Sequence, residues 1–223
     1  MSPRRSDPVP KRASAATVIA VVAAAITGCG SPVDGTARAD VDGGADPSVA
    51  IPGITTVDYP AGDHIGATQR VAYEHSPPFG GPHDAVWATC TGVVYPTPIR
   101  SENAVHSLEH GAVWITYDPD RTSGEQRDLL ADRVDGVSYL LMSPYPDLAQ
   151  PISLQSWGHQ LFVDDAEDSR IDEFIGALRL NPATYPEPGA TCATLPSSFD
   201  PANPPAFGPI PTDLSDPDVV PER

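Results

Sequence analysis

Proline limits where this chain can fold more than any other feature. The 223 residues include 27 prolines and 18 glycines, together about a fifth of the chain. Proline locks φ and removes a backbone donor, so it is excluded from helix interiors and central strands. Residues 29–60, containing "GSPVDGTARADVDGGADPSVAIPGITTVDYP", are rich in Gly, Asp, Ala and Pro and lack apolar periodicity. They read as a flexible tether. Residues 196–223, "PSSFDPANPPAFGPIPTDLSDPDVVPER", are acidic and proline-dense, and are expected to stay extended or disordered. Residues 61–195 are left for a folded domain, and a length of about 135 residues is enough for an adequate core.

The N-terminus reads as an export signal. Arg4, Arg5, Lys11 and Arg12 form a basic head, and "AATVIAVVAAAI" (15–26) follows as an apolar run. That run is too short for a typical membrane span and suits the hydrophobic region of a signal peptide. It ends in "ITGC", which resembles a bacterial lipobox, with Cys29 as the lipidation site. A plain membrane anchor is the alternative. Arg4-Arg5 lacks the following apolar residues of a twin-arginine signal, so general secretion is expected. Removal of 1–28 leaves 9 basic and 29 acidic residues, a net charge of −20. Such a chain gains no counterion-release energy on nucleic acid and is repelled by anionic headgroups. Membrane contact would therefore come from the lipid, at the outer face of the cell membrane. Cys90 and Cys192 then remain as an even pair, consistent with one disulfide in an oxidising compartment or with two separate buried thiols.

Within 61–195, "ATQRVAY" (67–73) reads as a strand that runs into a Pro/Gly loop at 74–87. "AVWITY" (112–117) and "VSYLLM" (137–142) are strand-like, and "SGEQRDLLADRV" (123–134) between them predicts a helix capped by Ser123. Its packing stripe is Leu129, Leu130, Arg133 and Val134. Strand, helix, strand at this spacing is a βαβ unit, normally parallel and right-handed. "PISLQSWGHQLFV" (151–163) predicts two strands bent at Trp157-Gly158. "SRIDEFIGALRL" (169–180) sets Ile171, Phe174, Ile175 and Leu178 at helical spacing and ends at Asn181-Pro182. The expectation is a single α+β domain with a mixed sheet containing one βαβ unit, flanked by disordered N- and C-terminal segments.

Chemistry concentrates in "NAVHSLEHGAVWITY" (103–117), which carries His106, Glu109 and His110. His106 and His110 share a face whether the local structure is a helix or a strand. A short helix closed by Gly111 fits better, and it also brings Glu109 onto that face at i+3. Two imidazoles and a carboxylate can chelate a divalent ion, although a lone H-x-x-x-H pair often marks ordinary core or surface histidines. His83 sits in a rigid Pro/Gly loop and has both a functional and a turn-forming reading. His75 reads as structural, His64 as solvated, and Trp157-Gly158-His159 as a packing device. There is no Gly-x-Ser-x-Gly elbow to support Ser107 or any other nucleophile.

Three blocks in order, "SPPFGGPHDAVW" (76–87), "ENAVHSLEHGAVWITY" (102–117) and "LQSWG" (154–158), resemble the signatures of domain-of-unknown-function family 3105. The resemblance is carried by Pro77, Pro78, Gly81, Pro82 and His83, by His106, Leu108, Glu109, His110 and Gly111, and by Trp157 and Gly158. Phe79-Gly80 departs from the small polar residues usual at that point of the loop. The resemblance implies a bacterial exported or tethered protein and names no reaction. It implies that His83, His106, Glu109 and His110 converge, a donor set suited to Zn(II) or Cu(II). Cu(I) fits poorly, because Met142 is the single methionine after the signal peptide. Three functions stay open: a metal-binding domain, an envelope binding or scaffold module with a structural His/Glu network, and a metal-assisted hydrolase using Glu109 as base. Sequence names no protein partner.

Overall fold

The computed structural model describes residues 46–195 and 197–222, all within one compact unit, Val41–Arg223. Cys29, the signal peptide and most of the tether lie outside the described residues. The chain forms β1 (Thr55–Thr56), β2 (His64–Ile65), β3 (Arg70–Ala72), β4 (His83–Asp84) and β5 (Thr91–Val94), then helix α1 (Ser101–Glu109). There follow β6 (Val113–Tyr117), α2 (Gly124–Val134), β7 (Leu140–Pro144), β8 (Ile152–Ser156), β9 (His159–Val163), α3 (Arg170–Leu178) and β10 (Val219–Pro221). Among the described residues no helix is long and apolar enough to cross a membrane.

Six strands make one mixed sheet in the order β1-β9-β8-β6-β7-β5. β6 and β7 are adjacent and parallel with α2 between them in sequence, which is the expected βαβ unit. β8 and β9 form an antiparallel hairpin whose turn is Trp157-Gly158, and Gly158 has φ +70°. The Ser123 hydroxyl accepts from the Gln126 N–H at 3.2 Å, as its capping position predicts. Leu130 and Val134 are the buried residues of α2, while Arg133 reaches Asp172 of α3 at 2.8 Å. Ile171, Phe174 and Leu178 are the buried stripe of α3.

Strand pleating sends alternate side chains to opposite faces, and here the two faces differ in chemistry. Val113, Ile115, Leu140, Met142, Ile152, Leu154, Leu161 and Val163 pack with the stripes of α2 and α3 in one aliphatic core. Trp114 and Leu141 face the other way, into a core rich in aromatic residues with Tyr59, Phe79, Trp157 and Tyr185. Buried polar groups also lie between these strands: the Trp114 indole donates to the Ser143 hydroxyl at 3.0 Å, Thr116 Oγ1 to the Ser153 carbonyl at 3.0 Å, and Gln160 Nε2 to the Pro77 carbonyl at 2.8 Å.

Three expectations are corrected. The described end of the tether is folded rather than flexible: Pro47–Ala50 form a short 3₁₀ helix, Thr55–Thr56 pair with β9, and Ile51 and Tyr59 are buried. The 67–73 strand is only Arg70–Ala72, and it stands outside the main sheet, paired in parallel with β10. The C-terminal segment is extended, as its prolines require, but it is docked rather than disordered. Phe199 is buried against Tyr95, Ala206 bridges Ile99, and Phe207 meets Tyr145 at 5.1 Å between ring centres. Arg70 donates to the Gly208 and Pro209 carbonyls, and the buried Glu222 carboxylate accepts from Tyr59 Oη and the Glu74 N–H, each at 3.2 Å. Without β10, β3 would leave a row of backbone groups unpaired.

Candidate metal centre

α1 is buried along its whole length, unusual for so polar a sequence. Its charges are satisfied by neighbours that also fix its position. The Glu102 carboxylate takes Arg70 Nε at 2.7 Å and the Val71 N–H at 3.1 Å. Arg100, the residue that precedes the helix, pairs with the Asp84 carboxylate and donates to the Gln69 carbonyl at 2.6 Å. β4 and the start of α1 are thereby clamped together, and His83, His106 and Glu109 share one buried space.

Three imidazoles are oriented in the same way. Nδ1 faces a backbone carbonyl in each: Gly81 for His83 at 2.8 Å, Asp84 for His106 at 2.6 Å, and Thr191 for His110 at 2.8 Å. A carbonyl can only accept, so each Nδ1 carries a proton, and Nε2 is the nitrogen left to face the cluster. Carbonyl-anchored imidazoles of this kind are typical of metal ligands. His83 Nε2 lies 2.9 Å from Glu109 Oε2, yet the two form no aligned hydrogen bond. Both atoms are fully buried acceptors, and two acceptors that close need a proton or a cation between them. The other Glu109 oxygen accepts the Gly62 N–H at 2.6 Å.

The charges follow from this setting. Burial, reinforced by His83, His110 and His64 and opposed by the Asp84 carbonyl, pushes the His106 pKa down to about 4, so the ring is neutral at pH 7. His110 is also lowered by burial, against the Thr191 carbonyl and the Glu187 carboxylate. Burial raises the Glu109 pKa, but His83 and the Gly62 N–H outweigh it, leaving the carboxyl below the ordinary glutamate value. His106 and His110 are thus held neutral beside the Glu109 carboxylate, the protonation state a divalent ion requires.

His83, His106 and Glu109 converge, and His64 joins them through the parallel pairing of β2 with β4, which sets His64 opposite His83. Ligand atoms of His64, His83, His106 and Glu109 all lie within 4.8 Å of one another, and this group could hold a metal. His110, expected in the same set, falls in a second group with His106 and Glu187. The His64 ring is stacked on His106, 4.9 Å between centres. Tetrahedral zinc ligands stand roughly 3.3 Å apart, so either group has to contract slightly around an ion.

His64, read from sequence as solvated, is exposed but belongs to the cluster, and Glu187 was missed. Neither carries a local signal. The Cys90–Cys192 pair was the one long-range clue to Glu187: the sulfurs are at disulfide distance, 1.93 Å, which draws the 185–194 segment to the end of α1. There the Glu187 N–H donates to the Glu109 carbonyl at 3.2 Å, and Glu187 Oε2 lies 3.3 Å from His110 Nε2. His75 and His159 stay apart. His75 packs on Phe79, and His159 places one nitrogen on the Trp157 carbonyl and the other 2.8 Å from Asp46.

The glycines explain the loop. A Cβ on Gly80 would come within 2.1 Å of the Tyr59 ring, and one on Gly111, at φ +90°, within 2.6 Å of Tyr185. Phe79 is a core residue meeting Tyr59 edge-on at 5.7 Å, which accounts for the Phe79-Gly80 departure from small polar residues. Trp157 stands edge-on to His83 at 5.8 Å and separates it from a cleft of about 290 Å³ lined by Asp46, Tyr59, His159 and Tyr185. None of the cluster ligands lines that cleft.

No curated protein and no solved structure matches the chain. The family described as "Protein of unknown function (DUF3105)" matches over residues 64–194, a span that includes every residue of both metal-capable groups together with Cys90 and Cys192, and the chain belongs to that family.

Proposed function

We propose that this domain binds one divalent transition metal ion, Zn(II) or Cu(II), through His83, His106 and Glu109, with His64 and His110 flanking. The observation that carries this reading is the convergence of carbonyl-anchored imidazoles on a buried carboxylate whose oxygen lacks an aligned hydrogen bond. Nitrogen and oxygen donors suit these two ions. Cu(I) remains disfavoured, because Met142 packs in the aliphatic core on the opposite face of the sheet. The test is elemental analysis of the exported, disulfide-intact protein purified without chelator, beside the His106→Ala/His110→Ala variant. The reading expects about one equivalent of zinc or copper in the parent and loss in the variant with the fold retained. A folded parent free of both metals would overturn it.

The scaffold alternative draws on the same Nδ1 hydrogen bonds, with a proton in place of the ion between His83 Nε2 and Glu109 Oε2. It predicts a melting temperature indifferent to metal. The hydrolase alternative needs an open coordination position beside a substrate cleft, and the cleft behind Trp157 does not supply one. The basic head, apolar run and "ITGC" of the sequence, with the Cys90–Cys192 pair, support a lipoprotein exported to the outer face of the membrane. Incorporation of labelled fatty acid, abolished by Cys29→Ala, tests that.

A further inference from the structure

The two metal-capable groups overlap at one residue. His64, His83, His106 and Glu109 form the first, and His106, His110 and Glu187 form the second. His106 has already committed its Nδ1–H to the Asp84 carbonyl, so it offers a single lone pair, on Nε2. One lone pair binds one ion at a time. The groups therefore cannot both be filled through His106, and they are alternative positions for the same ion. Two positions that share one nitrogen at about 2 Å are no more than roughly 4 Å apart.

The positions differ in access. His83 and Glu109 are fully buried, and the His64 ring lies beside the cluster, 5.0 Å from His83 and 4.9 Å from His106. His64 is the exposed member of this group. The second position opens to solvent through Glu187, whose side chain is 42% exposed. Glu187 is the accessible anionic ligand of the pair, and an exposed carboxylate attracts a cation before the buried one can.

We propose, building on the metal-binding reading, that the site loads through two stations. Glu187 and His110 capture a Zn(II)- or Cu(II)-class ion together with His106. The ion stays on His106 Nε2 while His83 and Glu109 replace the outer ligands, and His64 closes over it. Coordination bonds are exchanged, and the ion's water together with the proton held between His83 Nε2 and Glu109 Oε2 in the empty site leaves to solvent. Glu187 and His110 then govern how fast the ion enters, and His83 and Glu109 govern how tightly it is held.

Tryptophans report on each station. Trp87 lies 4.8 Å from His110 and 5.5 Å from His106, while Trp157 lies 5.8 Å from His83. Cu(II) quenches indole fluorescence at such range, so stopped-flow mixing of the chelator-stripped, full-length protein with Cu(II) follows both steps. Trp87→Phe and Trp157→Phe backgrounds assign the signals. The expected result is one equivalent bound, with Trp87 quenched before Trp157. Glu187→Gln slows loading at least tenfold and leaves equilibrium affinity within about threefold. Glu109→Gln, which keeps the side-chain shape, abolishes the slow phase and leaves weak, rapidly reversible quenching. Two tight equivalents in the parent, simultaneous quenching, or normal loading by Glu187→Gln would each overturn the two-station scheme while sparing the metal site. A parent that takes up no Cu(II) would overturn both.

Discussion

The two faces of the main sheet solve the burial problem in opposite ways. Under α2 and α3 the core is aliphatic, from Val113 and Leu140 to Phe174 and Leu178. Under α1 and the 74–87 loop it is aromatic and threaded with buried polar and acidic groups: Glu102, Glu109, His83 and Asp84 all lie inside. The first face gains stability from apolar area alone, at about 25 cal/mol per Å². The second must desolvate charges, which is a poor way to gain stability unless each charge is paired and hydrogen-bonded. The buried His106 and Glu109 make that face sensitive to protons, in contrast to the aliphatic packing of the other.

The largest test of the contrast is Phe174→Ala on the aliphatic face. Phe174 is fully buried, and its truncation is expected to cost about 3–5 kcal/mol in urea unfolding, with metal uptake per folded molecule unchanged. Acidification tests the other face. Below about pH 6.5 the unfolded chain protonates His106, while the folded ring resists until about pH 4. The unfolded state therefore binds more protons in that window, and stability is lost as pH falls through it. The loss attributable to His106 is at most about 3 kcal/mol. The lowered pKa of His110 acts in the same sense, and that of Glu109 adds below the ordinary glutamate value. Urea midpoints at pH 7.5 and pH 4.5 in chelator should show the slope in the parent and a smaller one in His106→Gln, where His110 still contributes.

Metal addition should raise stability by about 2.7 kcal/mol at a hundredfold excess over Kd. Calorimetry is expected to find that increment intact in Phe174→Ala and absent in His106→Ala. An increment that disappears in Phe174→Ala would show that the two faces are coupled. The smallest effect belongs to Ser123→Ala, loss of the α2 cap, at about 1 kcal/mol and with no metal dependence in the same melts.

The difference between the faces also decides what could be read from sequence. Ile171, Phe174 and Leu178 at helical spacing, and the βαβ unit around α2, were legible because an aliphatic face must be written periodically in each element that lines it. The helix carrying His106, Glu109 and His110 was legible from Gly111 and from residue spacing. His64 was not, because its place depends on a two-residue parallel bridge to β4 that leaves no periodic trace. Glu187 sits in an irregular Pro/Gly-rich stretch, located only by contacts to residues far away in sequence. The docking of the C-terminal segment was hidden for a related reason: proline and acid content predict an extended chain but say nothing about whether another surface will take it.

That docking has a consequence for how the molecule is made. Val219–Pro221 completes the ladder of Arg70–Ala72, so one of the earliest strands of the domain waits for a partner far along the chain. Closing so long a loop is slow, since its ordering cost comes before the contacts that reward it. The α1 face, with its histidines, is therefore completed only once Val219–Pro221 has docked, and the aliphatic face can form first. A chain truncated before Val219 should keep a sound α2–α3 core and leave the polar layer unfinished, with Tyr59 deprived of the Glu222 carboxylate.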